Sequence, residues 1–292
     1  MLNETGGKIA FQGEIGAFSH QACREVFPDM DAVPCPTFED AFAAVKGGEA
    51  RLAMMPIENS IHGRVADTHH LLPESGLYII GEHFVPIRLQ LLAAPGTGLE
   101  AVKEAQSHVV ALSQCRQFLT ARGIKPLIGA DTAGSAKHVA EDPVAGRAAI
   151  ASKLAGEIYG LETVAEDIED ADHNTTRFLV LSRRKIEADP LSERAVTSFV
   201  FQVRNVAAAL YKAMGGFATN GVNMTKLESY MVDGSFTATQ FYAEIEGHPE
   251  EPRVRAALDE LDFFCHRLRV LGVYPAHPHR LGGAASVRTA SA

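Results

Sequence analysis

The sequence predicts an α/β protein whose first part alternates strands and helices and whose last part is a small βαββαβ module. Three observations lead to this prediction. Apolar strand-like runs separated by amphipathic helices begin at Lys8, a charged stretch around Pro190 interrupts them, and the order of elements changes after it. Alternation of the first kind is typical of a largely parallel sheet. At this length we expect the sheet to be divided between two lobes.

Local signals set the elements of the first part. Thr37, with Asp40 three residues later, is typical of a helix start, and Gly47-Gly48 is typical of a helix end. The expected order is strand Lys8–Gln12, helix Ala17–Phe27, helix Phe38–Lys46, strand Arg51–Ile57, strands Tyr78–Val85 and Arg88–Ala93, helix Ala111–Arg122, strand Pro126–Ala130, helix Thr132–Ala140, strand Arg147–Ala151, helix Lys153–Tyr159, strand Glu162–Ile168, and a strand after Thr176.

The second part begins after a linker predicted at residues 185–195, where charge and Pro190 replace the apolar pattern. The order βαββαβ over residues 196–275 predicts a ferredoxin-like module. Its expected elements are Val196–Val203, Val206–Thr219, Val222–Tyr230, Phe236–Ile245, Glu250–Leu261 and Arg267–Tyr274. Residues 276–292, rich in small residues, are predicted to be a mobile tail.

Composition excludes several classes of function. The formal charge of −9 argues against nucleic-acid binding and against adhesion to an anionic membrane. The four cysteines are scattered, which predicts free thiols in a reducing compartment, and no segment has the character of a signal peptide or membrane span. We therefore expect a cytoplasmic protein. His62, His69 and His70 lack metal-site spacing with other ligand types, so no metal is expected.

Two polar clusters lie at strand ends. Asn174-Thr175-Thr176-Arg177-Phe178 opens one apolar run, and Pro56-Ile57-Glu58-Asn59-Ser60 ends another. Hydroxyl, amide and guanidinium groups are suited to holding and protonating a small anion, and ligands of open α/β sheets bind at strand ends. Each cluster also has a structural interpretation, as a strand-entry turn or as an ion pair of Arg177 or Glu58.

Helix starts provide further candidates for an anion site. Gly13 and Gly16 precede one helix, Thr132 opens another, and Ser107 lies upstream of a helix that contains Gln114. Free N–H groups at helix N-termini bind carboxylates without a formal charge. The alternative is that each residue is only a helix cap.

Several ordered motifs together carry a family resemblance from about Lys8 to Pro275. They are Gly13-Glu14-Ile15-Gly16-Ala17-Phe18-Ser19, Pro56-Ile57-Glu58-Asn59-Ser60, Ser107-His108, Ala111-Leu112-Ser113-Gln114-Cys115, Asn174-Thr175-Thr176-Arg177-Phe178, and Leu227-Glu228-Ser229. The chain resembles prephenate dehydratase followed by an ACT regulatory domain. The absence of a preceding chorismate mutase segment indicates a monofunctional chain.

The resemblance implies a fold and a reaction. The catalytic part, residues 8–184 with a second lobe at roughly 86–170, is expected to be like a type II periplasmic binding protein. Prephenate would lose its ring carboxylate and hydroxyl to give phenylpyruvate, CO2 and water, and aromatisation removes the need for a cofactor. Thr176 is expected to donate to the leaving hydroxide, with water or Glu58 as the candidate source of the proton. The residues expected to bind substrate are Asn59, Ser60, Ser107, Gln114, Thr132, Arg177 and Phe178.

The resemblance also implies regulation. L-phenylalanine would bind to the ACT module and inhibit, and the module would join chains in a homodimer or homotetramer. The residues expected at the effector site are Ala209, Leu210, Asn223, Met224, Glu228 and Ser229. Two departures weaken the effector signature: Ala208 stands where relatives have Gly, and Tyr230-Met231 follow Ser229 where they have Arg-Pro.

Three rival interpretations stay open. Arogenate dehydratase acts on the amino analogue, and these motifs do not separate the two substrates. A non-catalytic amino-acid-binding protein would have no use for Thr176. A transcriptional regulator with an ACT sensor would need a helix-turn-helix segment or a basic patch, and neither is evident.

Overall fold

A computed structural model describes residues 6–190, 194–204, 206–231 and 238–280. By the density of internal contacts the chain divides into two units. The first contains the chain up to Leu71 and His83–Phe178, and the second contains Leu72–Glu82 and the chain from Leu179 onward. The domain boundaries predicted above stay predictions.

The first lobe of unit one is built on a sheet in which the buried strand β1 (Lys8–Gln12) lies between two parallel neighbours. Along the chain its elements are β1, α1 (Phe18–Val26), β2 (Asp31–Cys35), α2 (Phe38–Gly47), β3 (Leu52–Asn59), β4 (Gly63–Arg64), α3 (Ala66–Leu71) and β5 (Tyr78–Pro86). The 3-10 turn at Leu72–Glu74 and the first residues of β5 belong to unit two in the division above. The sheet order is β2-β1-β3-β11-β5, where β11 is Thr175–Ser182, and β4 pairs antiparallel with β3. Strands β2 and β3 both run parallel to β1.

The second lobe is a mixed sheet. Its elements are β6 (Gln90–Ala93), a 3-10 turn at Leu99–Ala101, β7 (Glu104–Ser107), α4 (Val109–Gln114), α5 (Arg116–Arg122), β8 (Lys125–Ile128), α6 (Thr132–Glu141), β9 (Arg147–Ala151), α7 (Lys153–Tyr159) and β10 (Glu162–Ala165). The order is β10-β6-β9-β7-β8, with β7 parallel to β8 and β9 and with β6 antiparallel to its neighbours. Small buried side chains on α6 and β9, such as Ala133, Ala136 and Ala149, let this helix pack closely on its sheet.

Unit two contains an antiparallel sheet covered by two helices. Its elements are β12 (Ala195–Val203), α8 (Ala209–Thr219), β13 (Met224–Met231), β14 (Ala238–Glu246), α9 (Pro252–Phe264) and β15 (Cys265–Pro275). The order β13-β14-β12-β15 is that of a ferredoxin-like βαββαβ module. Aromatic residues of the strands, including Phe199, Phe201 and Phe241, pack against α8 and α9 in one core.

The predicted fold class is confirmed as a two-lobed α/β part followed by a ferredoxin-like βαββαβ module, and the likeness of the first part to a type II periplasmic binding protein stays a prediction. Three strands, β2, β4 and β7, were missed. Strand β2 contains Pro34, which a sheet tolerates because β2 is an edge strand. The expected strand start at Phe236 lies outside the described residues.

The helix predicted at Ala111–Arg122 is divided at Cys115 into α4 and α5. A distant residue causes the division. The N–H of Asp170 donates to the carbonyl of Gln114 at 2.6 Å, and the Asp170 carboxylate accepts the N–H of Gln117 at 3.1 Å. The Asp170 side chain therefore binds a free N–H in the first turn of α5.

The described part of the predicted mobile tail, residues 276–280, makes contacts within unit two, and the tail itself stays a prediction. Arg280 donates from Nε and Nη2 to the two carboxylate oxygens of Glu82, at 2.7 and 2.9 Å, and from Nη2 to Glu244 at 2.7 Å. The side chains of Glu82 and Glu244 are 0% and 1% exposed. Buried charges of this kind hold the segment in place, because leaving either carboxylate unpaired is costly. Residues 281–292 lie outside the described residues.

Candidate active site

A cavity of about 540 Å³ lies between the two lobes of unit one. Its wall combines apolar side chains with polar groups from both lobes. The residues that line it are Gln12, Gly13, Ala17, Phe18, Ser19, Phe38, Pro56, Asn59, His62, Gly63, Arg64, Val65, Asp67, Ile87, Leu89, His108, Val110, Ala111, Gln114, Ala130, Asp131, Thr132, Thr176 and Phe178. The predicted residues Asn59, Gln114, Thr132, Thr176 and Phe178 thus meet at one site.

Asn59 holds Thr176 in place within this cavity. The carboxyl end of β3 meets the amino end of β11 here, and Asn59 Nδ2 donates to Thr176 Oγ1 at 3.0 Å and to Asn174 Oδ1 at 2.8 Å. Asn59 Oδ1 accepts the N–H groups of Ile61 and His62 at 2.9 and 3.0 Å. Because the Thr176 oxygen accepts from Asn59, its own O–H is left to point elsewhere and can donate to a ligand.

Glu58 and Arg177 form an ion pair and lie outside the cavity lining. Arg177 Nη1 is 2.8 Å from Glu58 Oε1, its side chain is 3% exposed, and its guanidinium lies 6.0 Å from the ring centroid of Phe84. The geometry supports the structural interpretation of both residues. It gives no support to direct contact with a substrate, and such roles stay predictions.

Ser60 and Ser107 also lie outside the lining, because their hydroxyls are used within the protein. Ser60 Oγ donates to the carbonyl of His173 at 2.9 Å and accepts the N–H of Thr175 at 3.0 Å. The fully buried Ser107 donates to the carbonyl of Ile150 at 2.6 Å. The contacts of Ser60 join the two polar clusters. The contact of Ser107 joins strands β7 and β9 of the second lobe.

The N-terminus of α6 differs from the predicted anion site. Its cap is Asp131, whose carboxylate accepts the N–H of Gly134 at 2.6 Å, and Thr132 is the first residue of the helix. A carboxylate thus already occupies the end of the helix dipole. Thr132 lines the cavity beside it and offers a hydroxyl.

The turn Gly13–Gly16 joins the two lobes. Gly16 has φ of +94°, and a Cβ there would lie 2.9 Å from Ala155 Cα on α7. Ser152 Oγ donates to the Gly16 carbonyl at 2.6 Å, and Tyr159 donates to the Ile15 carbonyl at 2.7 Å. Gly16 is therefore required for close approach, while Gly13 and Ala17 line the cavity.

His20 supports the same turn from the first lobe. Its Nδ1 accepts the Gly16 N–H at 3.0 Å, and its ring stacks on Phe11 with centroids 5.4 Å apart. Burial, and next the charge of Arg24, lower the pKa of His20. The neutral ring that can accept this hydrogen bond is thereby favoured.

Sequence reasoning missed several lining residues, among them Gln12, His62, Arg64 and His108. Gln12, His62 and Arg64 lie next to motifs that were identified, and His108 lies within the motif Ser107-His108. His62 and Arg64 follow Ser60 closely, and β4 folds Arg64 back beside β3. Proximity to the motif was the only available signal, since the short strand β4 has no clear pattern of its own.

Candidate metal ligands and thiols are two further kinds of reactive group among the described residues. No three His, Cys, Asp or Glu side chains are grouped there as metal ligands. All four cysteines are free and buried, and burial raises the pKa of the Cys23 thiol to about 12. Among the described helices, none is both long and apolar enough to cross a membrane.

The predicted effector residues are gathered around α8 and β13 in unit two. Ala209, Leu210 and Met224 pack against the aromatic core. Ala208 adopts φ of +61° as the residue before α8, a conformation for which Gly is preferred.

Strand register separates two of these residues. Ser229 pairs with Phe241 and Glu228 pairs with Tyr242, so the two side chains project from opposite faces of the sheet. Glu228 lies 3.4 Å from Lys226. Strand β13 is at the sheet edge, and Asn223 precedes it.

Comparisons with known proteins agree on one family. The family model described as prephenate dehydratase matches residues 9–186. A bifunctional N-acyl-homoserine lactone acylase/prephenate dehydratase of Komagataeibacter europaeus is 50% identical over 272 residues, which are 93% of this chain and 97% of that protein. Arogenate dehydratase 2 of Petunia hybrida is 37% identical over 92% of this chain and 72% of its own length. A crystal structure of prephenate dehydratase from Arthrobacter aurescens, in complex with L-Phe, is 31% identical with a TM-score of 0.85, over 97% of this chain and 98% of that one.

Proposed function

Since the chain belongs to the prephenate dehydratase family, we propose that it converts prephenate into phenylpyruvate, CO2 and water in the cavity between its two lobes. The observation that carries this proposal is the hydrogen bond from Asn59 Nδ2 to Thr176 Oγ1, at 3.0 Å, on the cavity wall. It prepares a hydroxyl to act as a donor at one defined position. The enzyme is thereby a carbon–oxygen lyase.

The reaction needs little from the protein besides position and a donor. The bond between the ring and its carboxylate breaks, and the electron pair enters the ring. The bond to the ring hydroxyl breaks at the other end, and the departing hydroxide takes a proton that is supplied by solvent water, so that a water molecule leaves. Thr176 donates a hydrogen bond to that oxygen, since hydroxide is a poor leaving group until its charge is stabilised.

Other residues act through Thr176 or on the ring. Asn59 is a positioning residue, because both polar atoms of its amide are hydrogen-bonded to the protein: Nδ2 donates to two side chains and Oδ1 accepts two backbone N–H groups. Phe178, Phe38 and Phe18 supply an apolar wall that suits an aromatising ring. The Glu58–Arg177 pair, on β3 and β11, holds together the strands that carry Asn59 and Thr176.

Replacing Thr176 with valine tests the central role, because valine keeps the shape and removes the hydroxyl. We expect kcat to fall about 100- to 10,000-fold, while KM stays within a few-fold. Thr176→Ser should retain most activity. Thr175→Val is the matched control, since Thr175 does not line the cavity. A near-normal kcat in Thr176→Val would exclude Thr176 as the donor.

The preferred substrate is the next question, because relatives include proteins named for arogenate. Prephenate carries a keto group where arogenate carries an ammonium, and the lining carboxylates Asp67 and Asp131 would favour an ammonium if they faced that end. Turnover of both substrates, compared as kcat/KM, decides the matter. We propose prephenate, and a higher kcat/KM for arogenate would reverse the assignment.

A second activity is suggested by the relative from Komagataeibacter europaeus, whose name includes N-acyl-homoserine lactone acylase. With 50% identity over nearly the whole chain, this chain has a specific reason to be assayed for the same amide hydrolysis. The apolar part of the cavity wall offers space for an acyl chain. The assay measures release of homoserine lactone and fatty acid from an N-acyl-homoserine lactone. Release by the wild type, but not by heat-denatured protein, would support the acylase activity, and no release would exclude it.

Regulation by L-phenylalanine is proposed for the ferredoxin-like module, which we interpret as an ACT domain. Support comes from the L-Phe complex of the Arthrobacter aurescens protein and from the apolar residues Leu210 and Met224 beside the polar strand β13. We propose that modules pair in a homodimer or homotetramer, because β13 leaves a sheet edge that pairing would protect.

Calorimetric titration of L-phenylalanine into the full chain tests this effector role. Binding should be saturable, and prephenate should weaken it by the factor by which L-phenylalanine weakens prephenate binding. Leu210→Ala should weaken L-phenylalanine binding and leave uninhibited turnover nearly unchanged. An absence of binding heat at several temperatures would refute the role.

A further inference from the structure

The N-terminus of α1 forms part of the cavity wall and carries no side-chain cap. Helix α1 has nine residues, and Ala17, Phe18 and Ser19 line the cavity. The cap residue Ala17 has no side chain that can accept a hydrogen bond, and the first N–H groups of a helix have no partner within it. No hydrogen bond joins the N–H of Phe18 or Ser19 to another described residue. Both N–H groups are therefore left to a ligand.

The starts of α4 and α6 also reach the cavity wall, but both are capped. Asp131 accepts the N–H of Gly134 at 2.6 Å at the start of α6, and His108 Nδ1 accepts the N–H of Val110 at 3.3 Å at the start of α4. First-turn N–H groups of these two helices are thus used within the protein, whereas those of α1 are not.

Ser19 adds a hydroxyl beside these N–H groups. The residue is only 8% exposed, and buried hydroxyls normally have a hydrogen-bond partner. The described part of the chain provides none for Ser19 Oγ, yet this oxygen is not among the fully enclosed polar atoms that lack a partner. The small accessible part of Ser19 therefore faces the cavity that it lines. A buried hydroxyl in this situation indicates a ligand that has an acceptor oxygen.

The first turn of α1 attracts an anion although the chain as a whole is acidic. The partial positive charge of a helix N-terminus stabilises a carboxylate placed there. The first turn contains no acidic residue. Glu14, in the preceding turn, is ion-paired with Lys137 at 3.4 Å and lies outside the cavity lining. A carboxylate of the ligand therefore meets donors at this place and no competing acid of the helix.

The order of the sheet sets where α1 begins relative to Thr176. Strand β3 lies between β1 and β11, so the end of β1 and the start of β11 are two strand spacings, about 10 Å, apart. Gln12 ends β1 and lines the cavity, and α1 follows after the turn Gly13–Gly16. In prephenate the hydroxyl and the side chain are on ring carbons para to each other. A ring whose hydroxyl meets Thr176 thus has its side chain on the far side of the ring, at a distance that suits α1.

We propose that the first turn of α1, through the N–H groups of Phe18 and Ser19 and the Ser19 hydroxyl, binds the side-chain carboxylate of the substrate, which is kept in the product. This assignment rests on the proposed function. The ring carboxylate loses its charge as CO2 forms, so hydrogen bonds to it would stabilise the substrate more than the transition state and slow the reaction. The side-chain carboxylate keeps its charge throughout, and donors to it stabilise both states alike.

The kinetic signature of Ser19 in this role differs from that of Thr176. Uniform binding affects KM and leaves kcat nearly unchanged. Phenylpyruvate retains the same carboxylate, so its inhibition constant should change with KM. For Ser19→Ala we expect both constants to rise about tenfold, the usual effect of losing one hydrogen bond to a charged group.

Substitutions of Ala17 test the N–H groups separately. Asp and Asn are both good N-caps, whose side chains accept hydrogen bonds from first-turn N–H groups. Ala17→Asp also puts a negative charge where the substrate carboxylate would bind, so both constants should rise by more than in Ser19→Ala. Ala17→Asn is the uncharged control of nearly the same size, and both constants should rise by a smaller factor than in Ala17→Asp.

The experiment measures KM and kcat for prephenate, and the competitive inhibition constant of phenylpyruvate, in wild type, Ser19→Ala, the two Ala17 variants and Thr120→Ala. Thr120→Ala is the matched control, because it removes a hydroxyl from a helix of the same unit, α5, that does not line the cavity at this residue. A parallel rise in KM and in the inhibition constant, with kcat within a few-fold, supports the proposal. Unchanged constants in Ser19→Ala, or a loss confined to kcat, overturn it. If Ala17→Asp does not fold, Ser19→Ala carries the test, because alanine favours a helix.

Failure of the proposed function has a different outcome. A wild-type protein that forms no phenylpyruvate from prephenate refutes dehydration and not the binding of a carboxylate. Calorimetric titration of phenylpyruvate into wild type and Ser19→Ala then tests the first turn of α1 alone. Equal affinity of the two proteins, or no binding by wild type, overturns the proposal.

Discussion

Replacing Arg280 with methionine should strongly destabilise unit two. Arg280 makes three hydrogen bonds of 2.7 to 2.9 Å to Glu82 and Glu244, and the carboxylates of both are buried. Methionine keeps much of the apolar volume and removes the charge, so both carboxylates lose this partner. Removing one member of a buried ion pair costs about 3–5 kcal/mol in the free energy of unfolding. Because the Arg280 side chain is 19% exposed, solvent offsets part of this, and we expect about 3 kcal/mol.

Neighbouring groups limit how far the carboxylates can relax. Tyr242 donates to Glu244 Oε1 at 2.5 Å, and the N–H of His277 donates to Glu82 Oε1 at 3.0 Å. These neutral donors stabilise a carboxylate but do not neutralise it. The expected loss of stability in Arg280→Met is therefore mainly electrostatic.

Differential scanning calorimetry of the full chain is the assay. A loss of about 3 kcal/mol should lower the Tm of the transition of unit two by roughly 10 °C. Arg255→Met, at an exposed arginine of α9, is the control and should change the free energy of unfolding by about 0.5 kcal/mol or less. Adding Glu82→Gln and Glu244→Gln to Arg280→Met should recover much of the lost Tm. An Arg280→Met protein that melts within about 2 °C of wild type would refute the reasoning.

Two further predictions concern the turn that joins the lobes. Gly16→Ala should lower the free energy of unfolding by about 2–4 kcal/mol, because the new side chain would combine a positive φ with a Cβ 2.9 Å from Ala155 Cα. Urea unfolding measures this loss. Gly47→Ala is the control and should lose little stability, because its added Cβ meets no atom within 4 Å. Stability should also fall on acidification below pH 6.5, because the lowered pKa of His20 lets the unfolded chain take up a proton that the folded protein resists. Urea unfolding at several pH values should show a smaller fall for His20→Gln, and an identical pH dependence would contradict this role.

Much of the fold follows from local sequence signals. The strand Arg147–Ala151 and the helix Lys153–Tyr159 were predicted at their observed bounds, because an apolar run followed by an amphipathic run is a local pattern. The helix start at Thr37 is confirmed by a capping box with Asp40. The sequence also located the two polar clusters that meet around Thr176, because an amide and a hydroxyl at strand ends are unusual enough to be recognised.

The tertiary structure alone decided which of those polar groups face the cavity. Ser60, Ser107, Glu58 and Arg177 have the residue types of a binding site, but contacts between distant segments use their polar atoms inside the protein. Sequence spacing carries no information on such contacts, because they depend on which strands become neighbours in the sheet.

Long-range pairing likewise decided the features that were missed. Asp170 divides a predicted helix at Cys115, the Arg280 side chain pairs with Glu82, and β4 folds Arg64 onto the cavity wall. A short strand or a single arginine has no periodic pattern, so its role appears only when a partner far along the chain is brought beside it. The sequence by itself therefore determined the local elements and the chemical types at the site, and the tertiary structure determined their partners.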